Sequence, residues 1–301
     1  MQKARDRMLE ALYDYSVMSV YQLQTVLGYA KATIYGYIHH SKNDLQKMDM
    51  PEIGRNHKVF YLSPQVAKVF AQMKKQEDQF REKDYKLPPG YALHTLLCNQ
   101  FVCELIQASK QKENMGVIEW LGRNAMQQRI MEEKKSHVMN GFVQFFDVEK
   151  RYVSYLESFT GHETWESIRE CLEINIDRII QERPEQPEKV LYLILVLNKA
   201  TEKKVLQSLI GLKQKFPKMP FVAVARFEQL AMEGIFSSNW TTPDGQRFSF
   251  LEMPAIESKQ PTIITRFIGK EKRHAEFITG FTGFTGFRDK PEEDVFKKVF
   301  S

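Results

Sequence analysis

Cysteine is scarce in this chain of 301 residues: Cys98, Cys103 and Cys171 are the only three. They form no CxxC pair and have no histidine partners at zinc-finger spacing, which predicts buried thiols in a reducing compartment. Long apolar runs are also missing. The longest aliphatic stretch, Val190–Leu197, is far short of the roughly 20 residues that span a bilayer. Charge begins at Lys3, where a signal peptide would be apolar. These absences point to a soluble, cytoplasmic protein with no membrane partner. No Gly-rich run precedes a Lys-Ser or Lys-Thr, and neither a Gly-x-Ser-x-Gly elbow nor an HExxH is present. His39 and His40 are adjacent, so on a helix their rings point about 100° apart. They cannot clamp one metal as the histidine pair of a relaxase or rolling-circle initiator does. No cofactor is expected.

What remains is ordinary globular material: 43% hydrophobic and 12% aromatic residues, enough for two compact domains. Net charge is +5, a small excess of 43 basic over 38 acidic residues. It permits a polyanionic partner without choosing between DNA, RNA and neither.

The first 75 residues carry the clearest pattern. Residues 3–14 place Met8, Leu9 and Leu12 on one helical stripe. Ser19 is suited to cap a second helix with Leu23, Val26 and Leu27 inward, and Gly28 to end it. A third helix from Ala30 to His40 follows at once, with Ile34 and Ile38 as its core pair. Three short helices with a tight glycine turn before the third are a helix-turn-helix signature. Ile53–Leu62 then reads as a hairpin turning at Arg55–Lys58, the wing of a winged helix. Ser63 and Pro64 start a further helix, whose Val66, Val69, Phe70 and Met73 suit packing or a dimer seam. In such an architecture the third helix enters the major groove. Lys31, Thr33, Tyr35 and His39 are therefore the candidate DNA contacts, with Arg55, His57 and Lys58 on the wing. Double-stranded DNA is the expected partner, and a homodimer reading paired half-sites the expected assembly.

Residues 76–90, charged and closed by Pro88-Pro89-Gly90, read as a linker. From Tyr91 to about residue 260 the order is helix, three strands, helix, strand, helix, strand, an α/β domain with a mixed sheet. Val190–Asn198 is its central strand and Thr201–Lys215 a basic helix carrying Lys199, Lys203, Lys204, Lys213 and Lys215 at or near it. Thr242-Pro243-Asp244-Gly245 predicts a turn between Trp240 and a strand at Phe248–Met253. This order is the core topology of restriction-endonuclease-like nucleases. These hold Mg²⁺ with an Asp at the start of the second strand and a Glu-x-Lys or Asp-x-Lys on the third. Here the positions fall on Asn140 and on Glu157 with Phe159, while Glu119 lies on the first strand. An amide and a phenyl ring cannot replace a hard anion and a cation. The domain therefore reads as a degenerate nuclease, with Glu119, Asn140 and Glu157 as remnants, neither catalytic nor metal-binding.

Over residues 5 to 225 the chain resembles the replication-relaxation family of plasmids and mobile elements. The resemblance rests on the winged helix, the helix carrying His94, the strand ending in Glu119-Trp120, the Met139-Asn140-Gly141-Phe142 turn and the Leu156–Gly161 strand end. Where the family tends to have Asp-Gly this chain has Asn140-Gly141. Where it tends to have an acidic pair and Gly-Thr, this chain has Glu157, Phe159, Gly161 and His162. The resemblance implies a non-catalytic role in plasmid replication, transfer or transcriptional control through DNA binding. Two alternatives stay open: an Mg²⁺-dependent nuclease using Glu119 and Glu157, and an interaction module that captures a host factor. His94 reads as a hydrogen-bonded packing residue. Residues 261–301 read as a C-terminal extension, either a flexible tail or a segment whose Thr-Gly-Phe repeat at 278–287 offers a protein partner evenly spaced phenylalanines.

Overall fold

A computed structural model describes residues 2–50, 57–76, 80, 82–85, 89–111, 115–130, 139–148, 150–237 and 239–257. The protein is mixed α and β, with a small antiparallel sheet and a large mixed one.

The amino-terminal part has three helices: α1 (Gln2–Tyr15), α2 (Val20–Leu27) and α3 (Lys31–His40). A two-residue strand, β1 (Met18–Ser19), separates the first two. Ser19 caps α2 through a capping box: its hydroxyl accepts from Gln22 N at 3.2 Å and Gln22 Oε1 accepts from Ser19 N at 3.0 Å. Gly28 ends the helix in the left-handed region at φ 72°, donating to Gln24 O. Strands β2 (Leu45–Asp49) and β3 (Lys58–Leu62) pair antiparallel, Asp49 opposite Lys58, and β1 joins the far edge of β3. This corrects the expected hairpin at its described end: the strand that pairs with β3 is Leu45–Asp49, and Lys58 is a strand residue facing Asp49, not part of a turn. Residues 51–56, with Ile53 and Arg55, lie outside the described residues. Helix α4 (Pro64–Met73) follows with Ser63 at its cap position, but the Ser63 side chain makes no capping bond. Val66 and Phe70 of its stripe are buried.

Helix α5 (Pro89–Gln111) leads into the large sheet. Strands β4 (Met115–Gly122), β5 (Gly141–Asp147) and β6 (Lys150–Phe159) form an antiparallel meander, with helix α6 (Arg123–Ile130) between the first two. Helix α7 (Trp165–Glu182), strand β7 (Val190–Val196), helix α8 (Lys199–Lys215) and strand β8 (Phe221–Arg226) then make two parallel crossovers onto β6. After α9 (Phe227–Glu233), the hairpin β9 (Trp240–Thr241) and β10 (Arg247–Phe248) closes one side, turning at Gly245. A final short strand, β11 (Ile256–Glu257), pairs with the start of β6.

The sheet is covered on both faces, and the two-residue strand period sorts its side chains. On β7, Leu191, Leu193 and Leu195 face a cluster built with α1, α2 and α5. Val190, Tyr192, Ile194 and Val196 face α7 and α8. Every residue of β7 is buried, as a central parallel strand requires. The first cluster runs without interruption from Met8, Leu12 and Leu23 to Phe101, Val117 and Trp120. The 1–75 segment and the sheet thus share one core. Buried amides reinforce the contact: Asn99 donates to Tyr15 O at 3.0 Å and Val17 O at 2.7 Å, and Gln22 donates to Leu96 O at 3.0 Å. Tyr85, within the expected linker, is buried and stacks on Tyr13 and Phe80.

Candidate nucleic-acid interface and the buried polar centre

Only Ile34 is fully buried on α3, and this helix packs chiefly on α2. Its outward side chains are left to solvent. Lys31, Ala32, Tyr35, His39 and His40 are exposed, Thr33 half-buried, and Tyr35 keeps 49% of its surface. Lys31 Nζ lies 6.0 Å from the Tyr35 ring centre, and the His39 and His40 rings meet edge to face at 5.7 Å. At about 100° per residue, Lys31 is only about 60° from Ile34, so it sits on the flank of the face and not at its centre. The same angular count also places Ala32, Gly36 and His40 on the outward side. Helix α3 contains no acidic residue. At the small sheet, His57 is half-buried and Lys58 exposed, and His57 O accepts from Met50 N at 2.8 Å. Arg55 lies outside the described residues, as do residues 261–301 with their Thr-Gly-Phe repeat.

The second group of candidates gathers at one end of the large sheet. Asn140 opens β5, Glu157 lies near the end of β6, and both are buried. The Asn140 amide works from both ends: Oδ1 accepts from Arg123 Nη1 at 2.6 Å, and Nδ2 donates to Glu157 Oε1. Glu157 also accepts from Ser158 N at 2.9 Å, from Asn175 Nδ2 at 3.0 Å and, more weakly, from Cys171 Sγ at 3.6 Å. Its oxygens are thus filled by protein donors. Burial pushes the Glu157 carboxyl above its ordinary range, opposed by the Ser158 N–H and by His94 and Arg123. Burial, with Glu157 beside it, also pushes the Cys171 thiol far up, so that sulfur is an inert neutral donor.

Glu119 does not join this group. It lies opposite Gln144, which lies opposite Val153, four positions before Glu157 on β6. At about 3.3 Å per residue the offset is roughly 13 Å along the strands, before two strand spacings are added. Glu119 accepts from Gln144 Nε2 at 2.6 Å. The two carboxylates of the nuclease alternative are therefore apart. Among the described residues no group of three or more His, Cys, Asp or Glu side chains is placed to hold a metal ion.

His94, expected to be a hydrogen-bonded packing residue, bridges elements. Its Nδ1 is 2.6 Å from Ser158 O and its Nε2 3.1 Å from Glu163 Oε1. Glu163 closes the turn before α7, accepting from Thr160 N at 2.9 Å and Gly161 N at 2.8 Å. Burial would raise the Glu163 carboxyl, but the His94 bond and these N–H groups outweigh it and bring it down to about 2. Arg123 adds a stacking contact, its guanidinium 4.5 Å from the centre of the Tyr91 ring. Gly141 is required by its neighbour: a Cβ there would lie 2.3 Å from the buried Trp120 ring.

The participants that sequence reasoning missed are Arg123, Ser158, Cys171 and Asn175. Asn175 had a readable signal, since it interrupts the apolar stripe of Ile168, Leu172, Ile176 and Ile179 on α7. The basic helix α8 is partly neutralised, with Lys213 paired to Asp244 at 2.8 Å and Lys215 to Glu173. Among the described residues no helix is long and apolar enough to cross a membrane. No family model, curated protein or solved structure matches the chain.

Proposed function

We propose that the chain is a non-catalytic DNA-binding protein, with residues 1–75 forming a winged helix and α3 entering the major groove of double-stranded DNA. The observation that carries this reading is the outward face of α3. Among the described residues it is largely exposed, free of acidic residues, and furnished with Lys31, Tyr35 and His39. A cation and the positive end of the helix dipole suit phosphate, and tyrosine and histidine suit base edges or sugar. Strands β2 and β3 take the place of the wing, with His57 and Lys58 beside its tip. The sheet domain is then a degenerate relative of restriction-endonuclease-like folds. Asn140 and the hydrogen-bonded Glu157 occupy the positions where such an enzyme holds its metal. On this reading the protein acts in replication, transfer or transcriptional control of a plasmid or mobile element, as replication-relaxation proteins do.

The test is binding of the full-length protein to random-sequence duplexes about two helical turns long, across a salt series, beside Lys31→Ala and Tyr35→Ala variants. The expected result is a shift whose affinity falls with salt, with the Lys31 variant losing about one unit of the logarithmic salt slope. A homodimer would show two protomers per shifted duplex. No binding at low salt would overturn the reading and turn attention to a protein partner. Cleavage of the duplex with Mg²⁺, abolished in Glu157→Ala, would replace it with the nuclease alternative.

A further inference from the structure

At the centre of the outward face of α3 stands a residue with no side chain. At about 100° per residue, Gly36 falls about 160° from Ile38 and about 160° from Ile34, directly opposite the inward edge of the helix. A Cβ built on Gly36 would meet no atom within 4 Å beyond its own helix backbone and chain neighbours. Its φ is helical, so neither crowding nor a left-handed conformation calls for glycine there. Glycine in a helix interior is unfavourable against alanine, because it frees the unfolded chain and buries nothing. The fold gains nothing from it. Around it the face rises on both sides, to Tyr35 and His39 on one flank and to Thr33 and His40 on the other. Ala32, about 40° from Gly36, adds only a methyl group beside it, and the helix carries no acidic residue.

We propose that Gly36 is the point of closest approach between this protein and its duplex: the bare helix backbone at Gly36 seats against the floor of the major groove, while Tyr35, His39, Thr33 and His40 reach the base edges and sugar–phosphate walls beside it. This rests on the reading of α3 as the groove-entering helix. The occupant is duplex DNA and not an apolar partner. The flanking groups are polar or cationic, and the positive helix start with Lys31 complements a polyanion. A side chain at the apex of the helix would hold the axis away from the groove floor and lengthen every flanking contact at once. Gly36 is thus a positioning residue, acting through its neighbours by what it leaves empty.

The experiment compares Gly36→Ala and Gly36→Leu with the wild-type full-length protein. Gly211→Ala serves as the control, since Gly211 on α8 has the same open surroundings. Thermal unfolding and affinity for the random-sequence duplex pool are read together. Gly36→Ala is expected to raise Tm by about 1–3 °C while weakening DNA binding about fivefold or more, and Gly36→Leu to weaken it further. Gly211→Ala is expected to raise Tm similarly with binding unchanged. Because the expected changes in stability and binding have opposite signs, partial unfolding cannot produce the result. Unchanged affinity in both Gly36 variants, with Tyr35→Ala still losing binding, would overturn the close approach and leave the role of α3 standing. Equal losses in Gly36→Ala and Gly211→Ala would overturn it as well. No binding by the wild-type protein would remove the reading on which it rests.

Discussion

Replacing Asn140 by Asp changes a single heavy atom of the amide and isolates what that amide does in this chain. Asn140 donates to Glu157 through Nδ2 and accepts from Arg123 through Oδ1. A carboxylate keeps the second role and cannot perform the first. Losing a donor to a buried charged acceptor costs about 1.5–3 kcal/mol, and a second carboxylate against a buried Glu157 adds like-charge repulsion. The gain toward Arg123 offsets at most about 1 kcal/mol, because that guanidinium is half-exposed. The net expectation for Asn140→Asp is about 2–4 kcal/mol of destabilisation at pH 8, measured by denaturant unfolding. The pH dependence identifies the cause. Two carboxyls sharing one site hold a proton more tightly in the folded protein than in the unfolded chain. A raised folded pKa means stability that is present at low pH and lost as pH rises through it. The deficit should therefore shrink toward pH 4. Wild-type stability at pH 8, or a deficit of the same size at both ends, would refute the account of Asn140 as a two-ended bridge.

Glu163 has the opposite sign. Its folded pKa of about 2 lies below the ordinary 4.5, so its stabilisation is complete above 4.5 and is lost as pH falls from there toward 2. Glu163→Gln should flatten the acid limb of the stability curve over that window, and an unchanged acid limb by circular dichroism would count against it. Asn99→Ala removes two bonds to the carbonyls of Tyr15 and Val17 and leaves both acceptors buried. A loss of about 2–4 kcal/mol in denaturant unfolding is expected, with earlier proteolytic cutting in the first 75 residues.

Much of the fold was legible wherever local pattern and tertiary demand agree. The continuous apolar run at 190–196 could only be a strand buried on both faces, and Ser19 and Gly28 bracket α2 by capping chemistry alone. The failures have physical reasons. Strand β2 reads Leu-Gln-Lys-Met-Asp, with little β-propensity of its own. It is a strand because β3, rich in Val, Phe and Tyr, offers it a ladder. Helix α6, Arg-Asn-Ala-Met-Gln-Gln-Arg-Ile, lacks an apolar stripe, and among its buried residues Met126 alone joins a hydrophobic cluster. Phe250, expected within a strand, caps the core from a single 3₁₀ turn beside Tyr152 and Phe145. The polar centre was the least legible part. Its members at 94, 123, 140, 157, 163 and 175 come from three helices, the start of β5, the end of β6 and the turn before α7, and only the sheet register places them together. The strand order singles out Asn140 and Glu157, but nothing in it foretells the hydrogen bond between them.

Helix α5 connects the two groups of candidates. Near its start His94 is held by Ser158 O and Glu163, at the edge of the polar centre. Within the next one and a half turns, Leu96 O and Asn99 hold the amino-terminal segment through Gln22, Tyr15 and Val17. Buried bonds of this kind are costly to break singly, because each rupture strands a desolvated polar group. The amino-terminal segment is therefore attached to the sheet through fixed polar contacts as well as through the shared apolar cluster, and α3 is carried by a rigid support. A carboxylate pair open enough to admit a metal would need free oxygens, and at Glu157 these are taken up by Ser158, Asn140 and Asn175. The donors that fill the centre come from the start of β5, the end of β6 and α7, and His94 is seated by the same end of β6 and by Glu163 just before α7. Ser158 joins the two arrangements: its N–H fills Glu157, while its carbonyl and hydroxyl hold His94 and so tie α5 to the strand end that closes the carboxylate.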